Sequence, residues 1–242
     1  MLEPWRTGIV TKIKDETATT RRFWIQIPEV EKFDFIPGQF ITLDLPIHEK
    51  RNKRWRSYSI ASPPDGTNVI ELVIVLLEGG AGSTYLFNNI NVGSELSLRG
   101  PQGVFVLPEV IDRDVFFICT GTGVAPFRSM LHNIKDKKIA HQNLYLIFGT
   151  RLVPDCLYYD ELKGLENDIE NYKYLPVFSR ADATDTSLRR GYVHSVYEGI
   201  IAQEKKPAYF FLCGWKNMID EAKGRILALG YDKKDIHLEL YG

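Results

Sequence analysis

The sequence predicts two domains in series. An antiparallel β-barrel or sandwich comes first, followed by an α/β domain whose parallel sheet carries helices on both faces. Three observations predict it. The 242 residues, divided by about 150 per domain, allow one large domain or two modest ones. Up to about residue 105, short strand-like runs follow one another with turn clusters and no long helix between them. Beyond residue 112, apolar strands alternate with helical segments, the pattern of a parallel sheet buried on both sides.

In the first half, alternating or β-branched runs predict strands at Gly8–Ile13, Thr20–Ile27, Gln39–Leu45, Trp55–Ile60, Val69–Leu77 and Glu95–Leu98. Pro37-Gly38, Pro63-Pro64-Asp65-Gly66, Gly79-Gly80 and Asn91-Val92-Gly93 supply the turns. Ser83–Ile90 reads as a short capped helix, and Gly100-Pro101-Gln102-Gly103 as a turn between domains. The pattern changes at Leu107–Arg113, dividing residues 1–110 from 111–242. Strands follow at Val115–Cys119, Asn143–Phe148, Lys173–Phe178, Ala208–Cys213 and Ile236–Leu240. Helices lie between them at Val124–Ile134, Tyr158–Leu165, Val193–Ala202 and Lys216–Leu229. In open parallel sheets ligands bind at the carboxyl ends of strands. That directs attention to Gly121–Val124, Gly149–Arg151, Phe178–Arg180 and Cys213–Trp215.

Composition removes several function classes. With 44% hydrophobic and 25% charged residues the chain is an ordinary globular one, rich enough in apolar surface to offset ordering entropy. A net charge of −1 lacks the basic excess expected of a nucleic-acid binder. The longest apolar run, Leu72–Leu77, is far short of the ~20 residues that span a bilayer. The opening residues also lack the apolar stretch of a secretory signal. Three cysteines, Cys119, Cys156 and Cys213, suggest a reducing, cytoplasmic compartment and are too few for a four-thiolate iron–sulfur cluster. The five histidines are isolated, so no metal site is expected, and no P-loop motif is present.

Several segments carry candidate chemistry. Thr120-Gly121-Thr122-Gly123-Val124-Ala125-Pro126 joins a strand to a helix, where glycine backbone and a helix N-terminus suit a phosphate. Pro126 needs no amide partner in a first helical turn. Taken singly, this turn, Arg56-Ser57-Tyr58-Ser59 and Cys213-Gly214-Trp215-Lys216-Asn217-Met218-Ile219 are equally readable as plain structure.

Their order is more specific. R-x-Y-S, G-G-x-x-S, G-P-x-G-x-F, G-T-G-x-A-P, S-R, C-G-x-x-x-M-I and E-x-Y run through nearly the whole chain. Together they resemble the ferredoxin–NADP(H) reductase superfamily of flavoenzymes. The resemblance implies a flavin-binding Greek-key β-barrel followed by a Rossmann-like pyridine-nucleotide domain. It implies FAD and NADP(H) as cofactors, with FAD chosen over FMN by family habit alone. Arg56 would pair with the flavin phosphates. Tyr58 would stack on the isoalloxazine, and Ser59 would hydrogen-bond near its N5, with Ser57 between them. Gly82, Ser83 and Thr84 would offer donors to the pyrophosphate. Thr120, Gly121, Thr122, Gly123 and Pro126 would receive the nicotinamide nucleotide. Cys213, Gly214 and Met218 would line the nicotinamide pocket, Glu239 would orient the ring or relay protons, and Tyr241 would cover the flavin's other face. Gly242 follows Tyr241, a departure from the plastid pattern.

The resemblance also bears on cofactor choice and partner. A 2′-phosphate calls for cations, and Ser179-Arg180 with Arg189-Arg190 fits the family spacing for NADP, with Arg151 as a further contributor. Lys50, Arg51, Lys53, Arg54 and Arg56 put five cations in seven residues, a basic lip for an acidic carrier such as ferredoxin or flavodoxin. The expected protein is a monomeric reductase passing single electrons to that carrier. An NADH-dependent reductase of an oxygenase, a cytochrome or free flavin shares the fold. A non-catalytic flavin-binding regulatory module is the reading from another class.

Overall fold

The computed structural model describes residues 3–182 and 184–241; Gly242 lies outside them. The chain divides into two compact units, Met1–Val106 with Arg128–Asn133, and Leu107–Phe127 with Ile134–Gly242.

The first unit is a six-stranded antiparallel sheet. Its strands are β1 (Trp5–Thr17), β2 (Thr20–Gln26), β3 (Phe40–Asp44), β4 (Trp55–Ser59), β5 (Val69–Val75) and β6 (Glu95–Gln102). They lie in the order β4-β3-β6-β1-β2-β5, so β6 inserts between β3 and β1 as a Greek key requires. Just beyond β4, the Ala61 N–H donates to the Glu71 carbonyl of β5 at 2.8 Å and brings the two ends of the row together. Alternation places Phe23, Ile25, Ile41, Leu43, Ile70, Leu72 and Leu98 inside one core.

Two elements depart from the sequence reading here. β6 continues through Gly100-Pro101-Gln102, expected as a turn. The register of β3 and β6 slips between Phe40 and Thr42, and a proline without an N–H is tolerated at such an irregularity. Helix α1 (Ala81–Asn89) is not capped by Ser83. Gly80 is the N-cap, and the Ser83 hydroxyl instead accepts from Leu77 N at 3.1 Å and donates to the Gly80 carbonyl at 3.1 Å. Position 83 lies within the first turn, where a side chain folds back more easily than it caps.

The second unit is a five-stranded parallel sheet. Strands β7 (Asp114–Thr120), β8 (Leu144–Thr150), β9 (Tyr172–Phe178), β10 (Ala208–Trp215) and β11 (Ile236–Tyr241) take the order β11-β10-β7-β8-β9. Helices α2 (Ala125–Lys137), α3 (Tyr159–Gly164), α4 (Val193–Gln203) and α5 (Lys216–Ala228) connect them. Successive side chains of β7 explain its unbroken apolar run. Phe116 and Ile118 pack with Val193, Tyr197, Ile219 and Ile226 of α4 and α5, while Phe117 meets Phe127 at the start of α2 at 5.1 Å. β10 extends two residues past its expected end, to Trp215. α3 is shorter than expected because Tyr158 sits at φ 55° and a 3-10 turn takes over at Leu165–Asn167. Among the described residues, no helix is long and apolar enough to cross a membrane.

Candidate active site

In the first unit, β4 carries Arg56, Ser57, Tyr58 and Ser59, whose side chains alternate across the sheet. Arg56 lies against the opening turn of α1. A Cβ added at Gly82 would stand 2.8 Å from Arg56 Cγ and 3.1 Å from its Nε, so only glycine admits the guanidinium there. Arg56 Nη1 donates to the carbonyls of Lys53 at 3.0 Å and Trp55 at 2.8 Å, which fixes the head of the side chain. A guanidinium beside a helix N-terminus is a donor set for a diphosphate, and it fits the pyrophosphate of FAD. The Ser83 hydroxyl is held by the loop, so the first-turn backbone is what residues 82 and 83 present. Thr84 is exposed, and its amide already donates to the Gly80 carbonyl.

Tyr58 packs against the barrel core. Burial pushes its phenol up to about 12, with Arg56 acting in the opposite direction, so the ring is neutral at working pH. Ser57 points the other way and pairs with Thr42, hydroxyl to hydroxyl, at 3.0 Å. Ser59 is buried at the end of the strand.

In the second unit, β7 and β10 run parallel as neighbours, and the turn that follows β7 meets the end of β10 at backbone contact. A Cβ at Gly123 would come within 2.4 Å of the Cys213 carbonyl oxygen and 2.9 Å of Gly214 Cα. Gly214 has φ +134°, and a Cβ there would meet Thr120 Oγ1 at 2.5 Å. Trp215 N donates to that same Thr120 oxygen at 3.3 Å. Gly121–Val124 forms a 3-10 turn that leads into α2, with Pro126 in its first turn. The two glycine-bearing segments, distant in sequence, are thus packed backbone to backbone at the carboxyl end of the sheet, with Gly121 open around its missing Cβ.

Register brings the catalytic candidates of this unit together. Cys213 on β10 pairs with Cys119 on one side and Glu239 on the other, and Trp215 pairs with Tyr241. His237, Glu239 and Tyr241 share one face of β11, while Leu238 and Leu240 are exposed on the other. Burial holds the Cys213 thiol well above its ordinary range; the Glu239 carboxylate and Cys119 add to this, and the Tyr241 hydroxyl acts the other way. Cys213 is therefore a neutral, small wall and not a thiolate nucleophile. Met218, half-buried on α5, packs against the unit's core.

The arginines gather at the ends of β8 and β9. Ser179 N donates to the Thr150 carbonyl at 3.0 Å and Arg180 N to the Arg151 carbonyl at 2.9 Å. Phe178 exchanges bonds with the returning chain, donating to the Arg189 carbonyl at 2.9 Å and accepting from Gly191 N at 3.2 Å. Arg189 Nη1 also reaches the Pro176 carbonyl at 3.3 Å. Arg151, Arg180, Arg189 and Arg190 are exposed, and among the described residues no carboxylate forms a salt bridge with them. Asp182 lies close: Thr184 holds its carboxyl below the usual range, and Arg190 contributes.

The basic run around residue 50 is less free than its sequence suggests. Arg54 Nε stands 2.8 Å from Asp44 Oδ1 and Arg51 Nε 3.8 Å from Oδ2, which leaves Lys50 and Lys53 as the run's exposed charges with no ion pair among the described residues. Sequence reasoning missed a buried cluster of Arg22, Glu71 and Arg128. The signal was present in Val124–Leu131, where Arg128 and Ser129 interrupt an apolar helical run. Among the described residues, no group of three or more His, Cys, Asp or Glu could hold a metal ion.

A Greek-key barrel with a guanidinium beside a helix N-terminus, followed by a parallel sheet with a glycine-rich strand–helix turn, is the architecture of a flavoenzyme that uses a pyridine nucleotide. Comparison with known proteins agrees. Residues 7–107 match the oxidoreductase FAD-binding domain and residues 117–224 the oxidoreductase NAD-binding domain. The chain is 33% identical to ferredoxin–NADP reductase B of Sorangium cellulosum, covering 99% of this chain and 98% of that one. It is 31% identical to the anthranilate 1,2-dioxygenase electron transfer component of Acinetobacter baylyi, covering 89% of this chain but 61% of that protein. The solved ferredoxin NADP+ reductase of Neisseria gonorrhoeae, with bound FAD and NADP, superposes with a TM-score of 0.80 at 23% identity, covering 98% of each chain. The chain belongs to the ferredoxin–NADP reductase superfamily and is an oxidoreductase with FAD and a pyridine nucleotide as its cofactors.

Proposed function

We propose that this flavoenzyme uses NADPH in preference to NADH and delivers electrons singly to a separate ferredoxin or flavodoxin. The observation that carries the nucleotide choice is the convergence of Arg151, Arg180, Arg189 and Arg190 at one end of β8 and β9, brought about by the Phe178 bonds to Arg189 and Gly191. Four exposed guanidinium groups suit a dianionic 2′-phosphate, which NAD lacks. The names of the relatives support the acceptor class.

Bound FAD supplies a centre that accepts a hydride from the nucleotide and releases electrons one at a time. The chain's residues bind and orient. Arg56 and the first turn of α1 would hold the pyrophosphate, Tyr58 would support the ring as a neutral phenol, and Ser59 would supply a hydroxyl to the ring. Thr120–Pro126 takes the nucleotide's phosphates and Ser179 joins the arginines. Cys213 and Gly214 would wall the nicotinamide and Glu239 would orient it, while Tyr241 would serve as a movable aromatic cap. Met218 supports the Cys213–Trp215 segment from α5. Lys50 and Lys53 with Arg56 give the acidic carrier a basic landing edge. A monomer in a reducing cytoplasm completes the reading.

Stopped-flow bleaching of the flavin tests it. Reduction by NADPH much faster than by NADH supports the reading, and equal or faster reduction by NADH overturns the nucleotide choice. A second reading, an NADH-using component of an oxygenase system, draws on relatives such as the anthranilate dioxygenase component. Turnover with NADH alone would favour it.

A further inference from the structure

The first unit holds a buried ionic cluster that the phosphate contacts do not use. Glu71 on β5 is 2% exposed, and its carboxylate accepts from Arg22 Nε at 2.6 Å and Nη2 at 3.0 Å. Arg128, 8% exposed and part of this unit, places Nη1 3.3 Å from the same carboxylate. That Nη1 also donates to the Ala61 carbonyl at 2.8 Å, and the neighbouring Ser129 hydroxyl donates to the Ser62 carbonyl at 2.7 Å. The amides of the same stretch are equally committed. Ile60 N donates to Gln39 O at 3.0 Å and Ala61 N to Glu71 O at 2.8 Å, while Glu71 N donates to Ser62 Oγ at 3.0 Å.

Of the residues that follow Ser59, Ala61 is therefore held at both its amide and its carbonyl, Ile60 at its amide, and Ser62 at its carbonyl and hydroxyl. Stability alone gives no reason for this arrangement, because buried ion clusters are commonly replaceable by apolar side chains of similar volume. An apolar side chain at 128 could fill the space, but it could not hold a carbonyl. What the charged version adds is a fixed backbone immediately beyond Ser59.

We propose that Arg128 and Ser129 are positioning residues for Ser59. They grip the carbonyls of Ala61 and Ser62, with Glu71 and Arg22 aligning the guanidinium, so that the serine hydroxyl is presented to the flavin in one orientation. This rests on the assignment of Ser59 to the flavin made above.

Titration of the flavin-depleted chain with FAD, followed by fluorescence, tests the proposal through a double-mutant cycle. Ser59→Ala and Arg128→Gln are each expected to raise the FAD dissociation constant about tenfold, and the double variant also about tenfold instead of a hundredfold, because the second change removes what the first already disabled. Arg128→Lys, which keeps a donor and a charge, is expected to recover part of the affinity. The visible absorption bands of bound FAD should shift alike in Ser59→Ala and Arg128→Gln. Should Arg128→Gln fail to fold, Ser129→Ala leaves the ion cluster intact and should give a smaller rise that vanishes in the Ser59→Ala background. Multiplying effects, or wild-type affinity in the position-128 and position-129 variants, overturn the positioning role and leave the flavin reading standing. A Ser59→Ala variant with wild-type affinity and spectrum removes Ser59 from the flavin and the proposal with it. No FAD binding by the wild-type chain overturns both.

Discussion

Gly123 and Cys213 meet with no room for a side chain between them: a Cβ on the glycine would stand 2.4 Å from the cysteine's carbonyl oxygen. The obstacle is backbone in β10, a strand paired on both sides, which cannot rotate aside. The helix-leading turn after β7 and the end of β10 are thereby locked to one another, and Gly214 against Thr120 repeats the arrangement from the other side.

Gly123→Ala should therefore separate the two segments. Overpacking of this kind costs about 1–3 kcal/mol. The expected result is a melting temperature lower by several degrees and a nucleotide dissociation constant at least about tenfold higher. Gly121→Ala is the contrast. It has φ +54° but open space around its missing Cβ, so the cost is only the conformational strain of roughly 1 kcal/mol. An equal drop in melting temperature from the two changes would contradict the Gly123–Cys213 contact as the organising one.

The role proposed for Tyr58 is to support the flavin as a neutral ring. Tyr58→Phe should keep the flavin, and Tyr58→Ala should lose most of it on gel filtration. Because burial raises the phenol to about 12, flavin affinity should show no step from this group between about pH 5 and 9. Wild-type flavin content in Tyr58→Ala would remove its stacking role.

Nucleotide choice should reside in the arginines at the ends of β8 and β9. Arg180→Ala and Arg190→Ala should each raise the NADPH KM by roughly tenfold to a hundredfold, the loss of one charge-assisted contact, and leave the NADH KM unchanged. Asp182→Asn should lower the NADPH KM, since its carboxylate lies close enough to Arg190 to be stabilised by it. A parallel loss with both nucleotides would show that the arginines shape the loop and do not read the phosphate.

Stability should fall with acid through two imidazoles, the buried His194 and the half-buried His237. His194 is held below its ordinary value of 6.5, first by burial, then by Arg225, against the opposing Glu221 and Glu198; its ring bonds Tyr197 at 3.0 Å. His237 is also lowered by burial, opposed by Asp235, and stacks on Phe211 at 4.5 Å. Both stay neutral in the folded chain at a pH where the unfolded chain takes up protons. Their contribution is complete above about pH 6.5 and declines as the pH falls toward their folded values. Thermal melts at about pH 5.5 and 7.5 should show this loss, and His237→Phe, which keeps the ring stack, should lessen it. An unchanged slope in that variant would place the acid sensitivity elsewhere.

Much of the fold was legible because its periodicities are local. Val115–Cys119 is apolar on every residue, and only a strand buried on both faces has that need, as Phe116 and Phe117 show by facing opposite sides. The site was legible as ordered motifs, but not the work of each group. Ser83 looked like a cap and a phosphate donor; its hydroxyl is taken by Leu77 and Gly80. Arg51 and Arg54 looked like a free basic lip and lie beside Asp44. Arg128 was not singled out within the expected helix Val124–Ile134, because its partners Glu71 and Ala61 lie more than fifty positions away.

The sequence by itself determined which residue types stand at each strand end, the change from barrel to parallel sheet, and through these the class of chemistry. Such features follow from spacing of 2.0 and 3.6 residues and from turn chemistry, which neighbours in the chain decide. Only the tertiary structure decided which glycine must remain a glycine, which arginines remain available for an anion, and which hydroxyl is already bonded. Those depend on contacts between distant segments, where a few tenths of an ångström separate room for a ligand from a filled space.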